Sequence, residues 1–266
     1  MVSVYNEQTT IAYVLDDLLA LELPCPFEVI VVDDGSQDGT AKILAAFRHP
    51  QLRVIRHEQN RGKGAALGTG IAAATGTHFL PFDADSEYDA ADIPRLMAPV
   101  ASGRADVVYG ARIAGMNTVF SSCWYPVGSW ATTWAANILF RSRLKDLHTC
   151  LKLVPLAITR QMPLRESGFG ADTEITARLL KMGLRPFEVP VSYHGRTRAE
   201  GKKIRVRDGV RCLLVLLWVR LSRSVPASTP VGYSKPAFQG RARHPRPVRA
   251  TPASPDQSSP ILVGES

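Results

Sequence analysis

Asp83-Ala84-Asp85 sets two carboxylates two residues apart. In an extended segment alternate side chains share a face, so both acids can address one site. Hard oxygen donors with no His or Cys beside them suit Mg²⁺ or Mn²⁺, held partly by a substrate diphosphate. A D-x-D triplet is common; this one gains weight by following the apolar run His78–Phe82. A second acidic pair, Asp33-Asp34, closes the run Glu28–Asp33 and leads into Gly35-Ser36-Gln37-Asp38-Gly39-Thr40. A capped strand–helix turn explains Ser36, Asp38 and Gly39. It does not explain two adjacent carboxylates at a strand's end, which suit hydrogen bonding to a base or ribose. Asn60-Arg61-Gly62-Lys63-Gly64 opens a helix with glycines and a cation. It is not a dinucleotide fingerprint, because Leu67 stands where the third glycine belongs; nor is it a P-loop, because Gly64 follows Lys63. What remains is a helix N-terminus whose cation favours a phosphate, or an ordinary Gly-rich loop.

The elements that must position these residues alternate. Glu28–Asp33, Leu52–Arg56, His78–Phe82 and Asp106–Tyr109 read as short buried strands. Thr9–Leu21, Thr40–Phe47, Lys63–Ala74 and Ala91–Val100 have helical spacing. This repetition implies a doubly wound α/β sheet whose ligands bind beyond the carboxyl ends of the strands. Further on, Ala171–Met182 reads as a helix and Pro186–Tyr193 as a strand. Phe120–Phe140 carries no charge but includes Pro, Gly and several hydroxyl or amide side chains, so it reads as an interfacial or groove-lining helix rather than a span. His194–Arg211 holds seven Lys/Arg against two acids and runs into Leu213–Val219. That sequence suits either a surface-lying membrane contact or a core-packed terminal helix.

The chain has 266 residues, 45% hydrophobic and 21% charged, which excludes a wholly disordered or collagen-like protein. Net charge is +8, but six Lys/Arg against two Asp/Glu from Ser222 to Ser266 place half of that excess in a Pro/Ser/Arg-rich stretch expected to be a disordered tail. A nucleic-acid binder is therefore not expected, since no stacking-aromatic pattern accompanies the charge. Cys25, Cys123, Cys150 and Cys212 lack metal-site spacing and are expected to be reduced. The N-terminus lacks a basic and apolar leader, which points to the cytosol.

Several of these segments in register resemble the inverting family-two glycosyltransferases of GT-A fold, in particular the dolichyl- or polyprenyl-phosphate mannose and glucose synthases. The resemblance rests on Tyr5-Asn6-Glu7, Val31–Ser36, Asn60–Gly64, Asp83-Ala84-Asp85, Gly110-Ala111-Arg112, Asp146 with Thr149-Cys150, Glu174, Gly195-Arg196-Thr197 and Glu200-Gly201-Lys202-Lys203. It spans residues 4 to about 221 and implies one domain over 1–221, with a mixed, mainly parallel sheet and a C-terminal amphipathic helix at the membrane. It implies that Tyr5, Glu7, Asp33, Asp34, Lys63, Ala84 and Lys202 bind the donor and that Asp83 and Asp85 hold the Mg²⁺ or Mn²⁺. Asp85, Arg112 and Arg196 would carry catalysis, with Arg112, Arg196 and Lys202 neutralising phosphates. The donor would be GDP-mannose or UDP-glucose and the acceptor a polyprenyl or dolichyl phosphate. The protein would sit peripherally on the cytoplasmic face of the membrane.

Departures accompany the resemblance. Ser3 stands where the family has a proline, and only Met1–Val4 represents a first strand that normally continues upstream. Losing its apolar side chains would cost about 5–10 kcal/mol, so a poorly stable chain is expected, which a cooperative, high melting transition would refute. His148 and His194 stand where an acid and an aromatic residue are expected. The rival reading of a different class is a nucleotide-sugar-binding protein without turnover.

Overall fold

The computed structural model describes residues 1–112, 118–119, 124–197 and 206–222. At its centre β1 (Val2–Val4) runs parallel to β2 (Val29–Asp33) on one side and β5 (Phe82–Asp83) on the other. With β3 (Leu52–Arg56) outside β2, the strand order is β3-β2-β1-β5. Every residue of β2 is buried, as expected of a parallel strand covered on both faces. A second sheet has the order β4 (His78–Phe79), β8 (Lys152–Pro155), β6 (Val108–Ala111), β9 (Phe187–Pro190). Here β8 is antiparallel to both neighbours while β6 and β9 are parallel. A short parallel pair joins β7 (Thr118–Val119) to β10 (Tyr193–His194).

Two runs expected as single strands each divide in two. His78–Phe82 splits between the sheets because Pro81 has no N–H to continue a ladder. Pro186–Tyr193 splits after Pro190, sending β10 to β7. Six helices fall close to expectation: α1 (Ile11–Leu19), α2 (Thr40–Ala46), α3 (Lys63–Ala73), α4 (Ile93–Ala101), α5 (Trp124–Phe140) and, after the unexpected short α6 (Leu156–Arg160), α7 (Ala171–Lys181); α8 (Val206–Leu221) begins ahead of the apolar run Leu213–Val219. In α1, Ile11, Val14, Leu15 and Leu18 form the buried stripe that sets the helix on the sheet. A larger core joins Ile30 and Val32 of β2 to Leu67 and Ile71 of α3 and reaches Ile175 of α7 and Leu216 of α8.

Cys25, Cys150 and Cys212 carry no disulfide, and Cys123 lies outside the described residues. No helix among the described residues is long and apolar enough to cross a membrane. The expected tail lies outside the described residues from Arg223 onward.

Candidate active site

Three strands of the first sheet deliver their carboxyl ends to one place. Tyr5-Asn6-Glu7 follows β1, Asp33-Asp34 ends β2, and Asp83-Ala84-Asp85 ends β5. Because β1 lies between β2 and β5, the chain leaves it in a crevice between diverging connections, where open α/β sheets bind ligands. The loop after β1 is laced to the turn after β2. Asn6 is in the left-handed region (φ 53°); its backbone N–H donates to Ser36 Oγ (3.0 Å), and its Oδ1 accepts from Gln37 N (2.8 Å). Glu7 N donates to Thr40 Oγ1 at 2.9 Å.

The acids that end β2 have separate partners. Asp33 Oδ1 accepts from Ser36 N at 2.9 Å, and Oδ2 lies 3.3 Å from Arg56 Nε. Asp34 faces the Asn60–Gly64 loop instead. It accepts from Arg61 N (3.0 Å), Gly62 N (2.7 Å) and His57 Nδ1 (2.7 Å). His57 Nε2 in turn meets Thr69 Oγ1 on α3 at 2.9 Å. Asp34 is thus a strut for the loop that carries Lys63. The glycines of that loop serve close packing, since an added Cβ at Gly62 or Gly64 would stand 2.3 or 1.8 Å from the carbonyl oxygens of Ser167 and Glu166. Gly64 N donates to Ser167 O at 2.7 Å, so a protein carbonyl occupies that amide at the start of α3.

Lys63 points from this loop to the Asp83 carboxylate, 2.8 Å from Oδ1, and also lies 3.0 Å from Asp172 Oδ2 at the start of α7. Burial alone would lower the ammonium's pKa, but Asp172 and Asp83 hold it well above the usual lysine value. Behind Asp172 stands the fully buried Lys152, 3.6 Å from Oδ1 and donating to the Asp172 carbonyl at 3.2 Å. Asp85 meets Arg196 Nη2 at 3.3 Å, and Arg196 forks onto Glu7 at 2.9 and 3.1 Å. Burial, Asp83 and Glu87 push Asp85 up to about 7, against the pull of Arg196. The Ala84 carbonyl accepts from Thr10 Oγ1 at 2.7 Å, fixing the backbone between the two acids.

Arg112, at the end of β6, sends Nε and Nη2 onto Asp146 at 2.7 and 2.9 Å and stacks over the Tyr193 ring. Glu174 lies outside this cluster. It is buried against Arg178 and accepts from Arg165 N and Glu166 N, pinning the segment that packs on Gly64. His148 donates or accepts at Thr132 Oγ1 (2.6 Å), with its pKa lowered to about 4 by burial and Arg112. His194 is exposed and lines a cavity of about 280 Å³ with Val14, Asp17 and Ser86. Lys202, with Glu200, Gly201 and Lys203, lies outside the described residues.

Asp172, Lys152 and Glu87 complete the cluster and were not picked out from sequence. Lys152 had a signal, a lysine within a buried strand. Glu87 continues the alternation of Asp83 and Asp85; its carboxylate accepts from Tyr193 Oη (2.6 Å) and Arg196 N (2.7 Å). Among the described residues no group of three acids, His or Cys converges tightly enough to form a metal cage. The donor set nevertheless fits a hard divalent ion shared with a diphosphate. Two carboxylates sit at one strand end, and burial with the neighbouring acids Asp83 and Glu87 raises the pKa of Asp85, so three carboxylates share one small volume.

The family description "Glycosyl transferase family 2" matches residues 1–151. The chain belongs to the family 2 glycosyltransferases. This glycosyltransferase is 30% identical over 219 residues to an uncharacterised glycosyltransferase of Mycobacterium tuberculosis, covering 80% of the chain and 90% of that relative. It is 32% identical over 126 residues to the dolichyl-phosphate beta-glucosyltransferase of Dictyostelium discoideum; the match covers 42% of the chain and 38% of that enzyme's length. The fold resembles the glucosyl-3-phosphoglycerate synthase of Mycobacterium tuberculosis, crystallised with Mn²⁺, UDP and phosphoglyceric acid. The TM-score is 0.63 at 20% identity, over 85% of this chain and 78% of that one. The architecture of the glycosyltransferase is accordingly the GT-A fold, with a mixed, mainly parallel sheet.

Proposed function

We propose that this glycosyltransferase moves a hexose, mannose or glucose, from a nucleoside-diphosphate sugar to a polyprenyl or dolichyl phosphate. The observation that carries the reading is the convergence of Asp83 and Asp85 with Lys63 and Arg196 at the carboxyl ends of β1, β2 and β5. In the reaction a lipid-phosphate oxygen bonds to the anomeric carbon while the bond from that carbon to the donor diphosphate breaks. A lipid phosphate is already ionised near neutral pH, so the step needs little help from a general base.

Mg²⁺ or Mn²⁺ held by Asp83 and Asp85 would neutralise charge on the departing diphosphate. Tyr5, Glu7 and Asp33 border the crevice in which base and ribose would lie. Lys63 keeps Asp83 aimed at the site, and Asp34 keeps Lys63 in place. Arg196 and Lys202 meet phosphate oxygens, a role suited to guanidinium geometry in the case of Arg196. Arg112, held by Asp146, would neutralise phosphate charge together with these two cations. The Dictyostelium relative's name supports a lipid-phosphate acceptor, and the ligands of the mycobacterial synthase support a UDP-sugar donor and a divalent ion.

The acceptor reading also agrees with an apolar surface on two packed helices. Outward-facing Val127, Trp130, Trp134 and Ile138 of α5 and Val210, Leu214, Leu217 and Leu221 of α8 are all exposed. On α8 the exposed Arg207, Arg211 and Arg220 flank this row, the pattern of a helix lying in a membrane interface. We place the protein peripherally on a membrane by this surface, with the domain spanning residues 1–221.

Release of UDP from UDP-glucose, or of GDP from GDP-mannose, should depend on added short-chain polyprenyl phosphate for one of the two donors. Donor binding without acceptor-dependent release would favour a nucleotide-sugar-binding protein without turnover.

A further inference from the structure

The two acids of Asp83-Ala84-Asp85 have different cations. On Asp83 sits Lys63, whose ammonium is also anchored by buried Asp172 with Lys152 behind it. That cation is built into the scaffold. On Asp85 sits Arg196, reached by one nitrogen at 3.3 Å, while the same guanidinium forks onto Glu7 at 2.9 and 3.1 Å. The shorter, two-pronged pairing is the stronger one. The backbone of Arg196 is fixed too: its N–H donates to Glu87 Oε1 at 2.7 Å, and His194 N donates to the Glu87 carbonyl at 2.9 Å. Glu87 lies two residues beyond Asp85, so one short segment both carries the acid and sets the place of its cation. The guanidinium can therefore let go of Asp85 without leaving Glu7 or moving its own backbone.

We propose that Arg196 is a built-in counter-ion for Asp85, which it holds while no metal is bound and yields to the divalent ion, turning that N–H of Nη2 to a phosphate while Nη1 and Nη2 stay on Glu7. The inference rests on the metal reading above. It makes Arg196 a competitor of the metal as well as a partner of the substrate. Metal alone then binds weakly, and a ligand carrying phosphate oxygens, by giving that N–H a new partner, favours metal and arginine changing places. By linkage the metal favours that ligand equally.

The test uses the full chain and Mn²⁺ alone, titrated by electron paramagnetic resonance with no donor or acceptor present. Removing a unit positive charge next to Asp85 should tighten Mn²⁺ binding by about tenfold in Arg196→Gln. Arg196→Lys, which keeps the charge, should stay near the wild-type value, and Asp85→Asn should abolish the site. Should Arg196→Gln lose its circular-dichroism signature, Arg196→Met, which keeps the packing of the stem, is read in its place. Unchanged or weaker Mn²⁺ binding in a folded neutral variant overturns the counter-ion proposal while leaving the metal site standing. Mn²⁺ binding that ignores Asp85→Asn overturns the metal reading and the proposal together.

Discussion

A methyl group added at Gly64 would stand 1.8 Å from the carbonyl oxygen of Glu166, within a segment that Glu174 pins from below. Gly64→Ala is therefore expected to destabilise the fold by about 3 kcal/mol, read as a lower urea midpoint with an unchanged slope. The same loop shows what single residues reveal. Asp83 and Asp85 are legible because acids at a strand end have few structural uses. Asp34 looks like Asp33 in sequence yet turns away to two amides and His57, because the partner loop lies 27 residues on and no local pattern announces it. Asp172 and Lys152 are hidden for the same reason, being joined to Lys63 only by the fold.

His148 supplies a pH dependence. An unfolded histidine takes up its proton near pH 6.5, whereas burial and Arg112 lower the folded one to about 4. Between those values the unfolded chain binds more protons, so stability falls as the pH drops through that window, by on the order of 3 kcal/mol at its lower end. Urea unfolding at a series of pH values should show this loss, and His148→Asn should flatten it. An unchanged slope in the variant would assign the loss to other groups.

At the scale of elements, α8 has two apolar faces. Cys212, Val215, Leu216 and Val219 are buried, while Val210, Leu214, Leu217 and Leu221 face outward. The buried face is covered by α5 and α7, while the exposed apolar row, flanked by arginines, is left to meet something else. Sequence left a membrane contact and core packing as rivals for this segment, whereas the helix packs by one face and exposes the other. Co-sedimentation with vesicles containing anionic lipid should pull down the protein, and Trp130→Glu with Leu214→Glu should weaken binding at least tenfold without lowering the melting temperature. Equal binding by the double variant would remove these helices from any membrane role. Sequence also missed the break at Pro81, since an apolar run does not say which sheet each half will join. The consequence is functional: the break turns Phe82–Asp83 into the neighbour of β1, and so brings Asp83 and Asp85 to the crevice.

Across the whole molecule, alternating strands and helices made the α/β class readable, because parallel strands need crossover helices. The division into a parallel sheet and a mixed one was not readable, since β8 pairs antiparallel with strands more than 40 residues upstream. The site gathers residues from position 7 to position 196, with cations and carboxylates interleaved as Arg196 with Asp85 and Lys63 with Asp83. Such a site is suited to hold a nucleoside diphosphate while it leaves a sugar. The most direct test is the passage of radiolabelled hexose from UDP-glucose or GDP-mannose into the organic phase with polyprenyl phosphate and Mn²⁺, with Asp85→Ala run alongside. The account predicts label in the lipid from one donor and a loss of at least a hundredfold in the variant. Label that enters the lipid equally well with Asp85→Ala, or from neither donor while the folded protein binds both, would contradict it.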